Sequence, residues 1–197
     1  MPQRWITVAL AGLVLGGCAP LRHRPGLIPD DAKLLPVPGL IQEQDRCASN
    51  SLAMVLAYLG QPVEEPEIAS AIFQPNLRGT LNLDLVLYAR QRGLEARFYQ
   101  GDLEDLLAQI DAAHAPILML RLSSPSFLPW RRRYDHHFVV VYGYSRARAK
   151  VYLHSGFGPR EVSFKELEKL WKPAHYWTLI LGGHNAKLCN QFRIVST

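Results

Sequence analysis

Residues 47–59, Cys47-Ala48-Ser49-Asn50-Ser51-Leu52-Ala53-Met54-Val55-Leu56-Ala57-Tyr58-Leu59, read as a helix whose first residue is a cysteine. Leu52, Val55, Leu56 and Leu59 recur at helical spacing and predict one buried side, and Gly60 is a natural stop. Cys47 thus stands at a helix N-terminus, where unpaired N–H groups and the positive end of the helix dipole favour a thiolate, the nucleophile of acyl transfer. A cysteine buried simply as a small apolar residue is the competing reading, and its neighbours separate the two.

Five residues upstream, Val37-Pro38-Gly39-Leu40-Ile41 leads to Gln42, whose carboxamide N–H is suited to join a backbone N–H in binding an oxyanion; Gln44 competes for that place. Ninety residues downstream of Cys47, His137 opens the run Phe138-Val139-Val140-Val141-Tyr142-Gly143-Tyr144, a buried strand that would hold its imidazole rigidly, as a general base requires. A hairpin between 137–144 and 150–154 centred on Ser145 and Arg146 pairs residue i with 291 − i, so His137 is expected to face His154, with Cβ atoms about 4.5–5.5 Å apart. A neutral imidazole at 154 can orient His137 by accepting a hydrogen bond, but cannot stabilise an imidazolium as a carboxylate would.

Further helices are expected at 65–73, 81–92, 102–112 with Asp102 as N-cap, and 164–171 with a Ser163/Glu166 capping box. Strands are expected at 95–99, 116–122, 137–144, 150–154 and 176–181. Helices come first and most strands last, the α+β pattern of N-terminal helices packed on a mainly antiparallel sheet. With 48% hydrophobic and 20% charged residues, the chain has the composition of one globular domain. His136, His137 and His154 form no recognised ligand spacing with a cysteine pair, and phosphate-loop and nucleotide fingerprints are missing, so no metal or cofactor is expected.

Arg4 precedes an apolar run, Trp5 to Leu15, too short to span a bilayer as a mature helix, so residues 1–17 read as a secretory signal. Leu15-Gly16-Gly17-Cys18 resembles the lipobox of bacterial lipoproteins, which implies that Cys18 is the lipidated first residue of a protein held at the cell envelope. Ala19 in place of Asp implies, by the same resemblance, the outer membrane facing the periplasm if the cell is Gram-negative. Residues 18–36, with Pro20, Pro25, Pro29 and Pro36, read as anchor and tether, 37–181 as the domain, and 182–197 as a tail without assigned role, Cys189 included. Loss of the signal removes Arg4 and leaves 21 basic residues against 17 acidic, too small an excess to imply nucleic acid.

Taken together, Gln42, the run from Cys47 to Leu56, Gly79-Thr80-Leu81, His137 to Tyr144, Val151 to Gly156, Ser163-Phe164 and Trp171 resemble the double-glycine, bacteriocin-processing cysteine peptidases, in particular their standalone lipoprotein members. The resemblance implies a papain-like fold and peptide-bond hydrolysis through a thioester, with Cys47 as nucleophile, His137 as acid/base, Gln42 in the oxyanion hole and His154 where the family has Asp or Asn. It implies a peptide or protein substrate; transporter-linked members cut leader peptides after Gly-Gly. Ala48 stands where the family has Gly, which is expected to narrow the approach to the thiol, and Ser49-Asn50-Ser51 replace Pro and small apolar residues. The loop Phe127-Leu128-Pro129-Trp130 is a candidate substrate rim or membrane contact, or else a loop packed on the core. Two other readings stay open: a non-catalytic module on this fold that binds an exported peptide or a partner, and a peptidoglycan-cleaving cysteine endopeptidase, whose usual Asp-Cys-Ser-Gly context Arg46-Cys47-Ala48 does not match.

Overall fold

The computed structural model describes residues 31–41, 45–124 and 133–182. Expectations on the signal, Cys18, Gln42, Gln44, the loop 127–130, Cys189 and the tail beyond Gly182 lie outside the described residues.

In chain order the elements are β1 (Lys33–Leu34), α1 (Cys47–Tyr58), α2 (Glu65–Ile72), α3 (Asn82–Gln91), β2 (Glu95–Gln100), α4 (Leu103–Asp111), β3 (Ile117–Ser124), β4 (Arg133–Ser145), β5 (Lys150–His154), β6 (Pro159–Ser163), α5 (Phe164–Trp171) and β7 (Trp177–Gly182). Among the described residues the strands form one antiparallel sheet in the order β2-β7-β3-β4-β5-β6, and β1 adds to β4. This is the expected α+β class. The expected caps are in place: the Asp102 carboxylate accepts from the Asp105 N–H at 2.8 Å and the Ser163 hydroxyl oxygen from the Glu166 N–H at 3.1 Å.

Both faces of the sheet are covered. Phe138 and Val140 of β4 join Leu52, Leu56, Ile68 and Leu85 of α1 to α3 in one core cluster, while Val139 and Val141 join Leu106, Leu107, Leu167 and Trp171 of α4 and α5 in another. That is why Phe138 to Val141 is continuously apolar and does not alternate. Helix α1 is buried on more than the one side expected of it, from Ala48 through Leu56, with Ser49, Asn50 and Ser51 included.

Two strands are not foreseen in the sequence. β6 is a polar strand beginning with Pro159, a composition typical of sheet edges. β1 falls within the span read as tether: its Leu34 pairs with Gly143, and the Leu35 N–H donates to the Tyr142 carbonyl at 2.7 Å. Gly143 is what admits it, since a Cβ there would lie 2.5 Å from the Lys33 carbonyl oxygen. At the other end Gly182, assigned to the tail, pairs with Glu95 as the last residue of β7.

Candidate active site

The segment entering α1 turns sharply, with Asp45 left-handed at φ 63°. Two interactions fix the helix start to α2: Arg46 Nη1 lies 3.2 Å from Glu65 Oε2, and the Ser49 hydroxyl donates to the other oxygen of Glu65. One carboxylate at the first residue of α2 thereby holds the residues on both sides of Cys47.

Cys47 is half-buried as the first residue of α1. Burial pushes the thiol above its ordinary value and outweighs the opposing pull of the nearby backbone N–H groups of Phe138, Ala48 and Cys47 itself, and the Asp45 charge pushes the same way as burial. The thiolate expected from the helix dipole is therefore not the favoured form of the free protein. The thiol is the favoured form.

His137, also half-buried, meets the same cleft from β4. Its Nε2 lies 2.9 Å from the Ser155 carbonyl oxygen. A carbonyl only accepts, so Nε2 carries the hydrogen and Nδ1 is the bare nitrogen of the neutral ring. Burial holds the His137 pKa below the ordinary imidazole value, and the Ser155 carbonyl opposes this in part. Both shifts favour a neutral thiol and a neutral imidazole, so the nucleophilic thiolate forms only as the proton passes to the ring.

The expected pairing of His137 with His154 is incorrect. Ser145 pairs with Lys150, so the turn is the four residues Arg146–Ala149, and a bulge between Val141 and Gly143 moves the register again. His154 consequently pairs with Val140, three residues beyond His137 and on the opposite face by strand alternation. There its Nε2 lies 3.2 Å from the Val37 carbonyl oxygen, its ring stacks on Tyr142 at 4.3 Å between centroids, and Gly39 lies against it. Ser155, the next residue in sequence, takes the orienting contact with its main chain. The expectation for Ala48 changes too: its side chain is buried in the α1 core cluster and lies off the cleft wall, so it does not crowd the thiol from that wall.

The cleft has a volume of about 940 Å³. Besides Cys47, His136, His137 and Phe138, its wall includes Met119 and Leu122 of β3, Phe157, and the turn from Leu77 to Asn82. That turn is closed by the Gln74–Gly79 bridge and tied to the approach of Cys47 by Arg78 Nη2, 2.9 Å from Asp45 Oδ2. Glu65, Ser155, Phe157 and Arg78 are contributors that spacing does not reveal. Only Phe157 carries a signal in the sequence, an aromatic between two glycines directly after a strand. Among the described residues no group of His, Cys, Asp and Glu is arranged to hold a metal ion.

Residues 40–178 match the model of the peptidase C39 family. No curated protein matches the chain. Among solved structures, the peptidase domain of Streptococcus ComA, a bifunctional ABC transporter involved in quorum sensing, is similar with a TM-score of 0.59 at 18% identity, over 74% of this chain and 98% of that one. A double glycine motif protease from an AMS/PCAT transporter, solved with its leader peptide, gives 0.58 at 23% identity over 76% and 93%. The N-terminal peptidase C39-like domain of a toxin secretion ATP-binding protein from Vibrio parahaemolyticus gives 0.52 at 16% identity over 73% and 100%. These likenesses concern the fold. Because the matched span covers most of the sequence, this chain belongs to the peptidase C39 family and is a cysteine-type peptidase.

Proposed function

We propose that the chain cleaves exported peptides with leaders of the double-glycine type, through a thioester on Cys47, while held at the bacterial envelope by lipid on Cys18. The observation that carries the site assignment is the His137–Ser155 bond, which commits Nε2 and leaves Nδ1 as base in the cleft that also holds Cys47. Cys47 Sγ attacks the scissile carbonyl carbon as its proton passes to His137 Nδ1. The oxyanion is met by the N–H groups at the start of α1 and, by the family resemblance, by the Gln42 carboxamide. Nδ1 returns its proton to the leaving amine, the C–N bond breaks, and water activated by Nδ1 then hydrolyses the thioester.

The peptide substrate is supported by the family and by the AMS/PCAT relative, whose structure holds a leader peptide. The anchor rests on Leu15-Gly16-Gly17-Cys18, and outer-membrane placement facing the periplasm on Ala19. The test is labelling of the full chain in detergent with a thiol-directed peptidyl electrophile, alongside cleavage of peptides with and without Gly-Gly. Labelling at Cys47 that falls about 10²- to 10⁴-fold in His137→Ala supports the assignment. A thiol no more reactive than free cysteine, with no peptide cleaved, overturns it. Metabolic labelling with a fatty acid, abolished by Cys18→Ala, tests the anchor separately.

A further inference from the structure

Phe157 is 73% exposed, the second most exposed large apolar residue among those described, and it belongs to neither core cluster. Its ring nevertheless lies nearly parallel to that of His137, with an interplanar angle of 14° and centroids 6.1 Å apart. The loop that carries it is built for this placement. Gly156 and Gly158 take φ of 79° and 103°, conformations that side chains rarely adopt, and the Ser155 N–H and hydroxyl both lie 3.4 Å from the Gly158 carbonyl oxygen, closing the loop on itself. One short closed loop therefore supplies both the carbonyl that accepts from His137 Nε2 and the aromatic ring that lies nearly parallel beside the same imidazole.

That combination has a physical purpose. A carbonyl carries no net charge, so it orients an imidazole less strongly than a carboxylate does, and water competes for the bond wherever it reaches it. An apolar plane laid beside the ring lowers the local dielectric around the bond and leaves the imidazole fewer orientations.

We propose that Phe157 is a positioning residue, whose ring keeps water from the His137–Ser155 hydrogen bond and holds the imidazole plane toward Cys47. This rests on the reading of Cys47 and His137 as the reacting pair. The other titratable groups lining the cleft with His137 are Cys47, Asp45, Arg78 and His136, and none is on the Phe157 loop.

The experiment compares the full chain in detergent with Phe157→Ala and Phe157→Trp by NMR of ¹⁵N-labelled histidine and by peptide kinetics. Exposure of the side chain leaves folding intact in the alanine variant. In Phe157→Ala the His137 Nε2–H exchanges faster with water, the ring titrates closer to a solvated imidazole, and kcat falls about tenfold with KM within about twofold; Phe157→Trp restores all three. Unchanged exchange and titration in Phe157→Ala overturn the proposal, as does a loss confined to KM, which would make Phe157 only a substrate wall. If exchange and titration change as expected while the unsubstituted chain cleaves no peptide, the shield stands and the assignment of the reacting pair fails.

Discussion

His137 and Ser155 are joined by a ring N–H donated to a main-chain carbonyl at 2.9 Å, so the imidazole is oriented by backbone and no residue-155 side chain is needed for it. The usual carboxylate partner would favour an imidazolium and, through it, a thiolate. Here a neutral acceptor and burial favour an uncharged pair.

The pH profile follows. His137 is active as a base only when neutral, and its pKa lies below the ordinary 6.5, so kcat/KM holds as pH falls through 6.5 and declines only at lower pH. Cys47, pushed above its ordinary value by burial, keeps its proton further into the alkaline range. Both shifts widen the plateau. Iodoacetamide alkylation of Cys47 in the free protein should rise to half its maximum at a pH above that of free cysteine; a midpoint below it would show a preformed ion pair.

His154 is expected to support stability and leave chemistry alone. His154→Ala strips the Val37 carbonyl of its donor and removes the stack on Tyr142, a loss of about 1–3 kcal/mol by urea unfolding, with kcat nearly unchanged. The sign of the pH effect is fixed by burial, which lowers its folded pKa: the unfolded chain takes up the proton first, so its contribution is full above 6.5, declines as pH falls below that, and levels off below the folded pKa. His154→Ala should therefore lose stability less steeply on acidification. A fall in kcat with unchanged unfolding would restore His154 to the site.

Glu65 ties α1 to α2 through Arg46 and Ser49, its side chain only 16% exposed. Glu65→Ala removes the carboxylate that Arg46 and Ser49 share and should cost about 1–3 kcal/mol. Because the two partners flank Cys47, kcat should fall further than KM changes, and Glu65→Gln, which keeps one acceptor, should recover part of it. Equal kcat in all three forms would confine Glu65 to stability.

Much of this architecture is legible in the sequence because its signals are local. The five helices end within a residue of where periodicity and caps place them, and Asp102 and Ser163 act as the caps they resemble. The hairpin fails because register is not local: Ser145-Arg146 has no residue that demands a turn, and a longer turn plus a bulge shift the pairing at His154 from a sum of 291 to 294. An odd shift moves a side chain to the other face, so one misplaced turn exchanges His154 for the Ser155 main chain. Glu65 and Arg78 meet the site only through tertiary contacts. β1 escapes notice because two residues among prolines carry no period; Gly143, the residue that admits it, looks like an ordinary strand ending.

Gly143→Ala places a methyl against the Lys33 carbonyl oxygen and the Leu34 side chain, forcing β1 off β4. The expected cost is about 1–3 kcal/mol, with accelerated exchange of the Leu35 N–H that bonds Tyr142. An unaltered Leu35 exchange rate would mean that the strand docks independently of the space Gly143 leaves.

The turn from Leu77 to Asn82 is the part of the cleft best suited to read a peptide, because Leu77 and Leu81 are 61% and 52% exposed on its wall. Apolar side chains held in water there contribute little to folding, so replacing them leaves stability within about 0.5 kcal/mol. A peptide side chain that covers them gains about 25 cal/mol for each Å² removed from water, whether the bond is reacting or not. Such binding is uniform between ground and transition states, so Leu77→Ser with Leu81→Ser should raise KM about tenfold or more for peptides with apolar residues ahead of the scissile bond, with kcat preserved. Peptides lacking those residues should lose little. If both classes of peptide lose equally, the leucines do not select substrate. A loss of kcat instead would mean that the turn acts on Cys47 through the Arg78–Asp45 pair, and Arg78→Ala alone should then reproduce it.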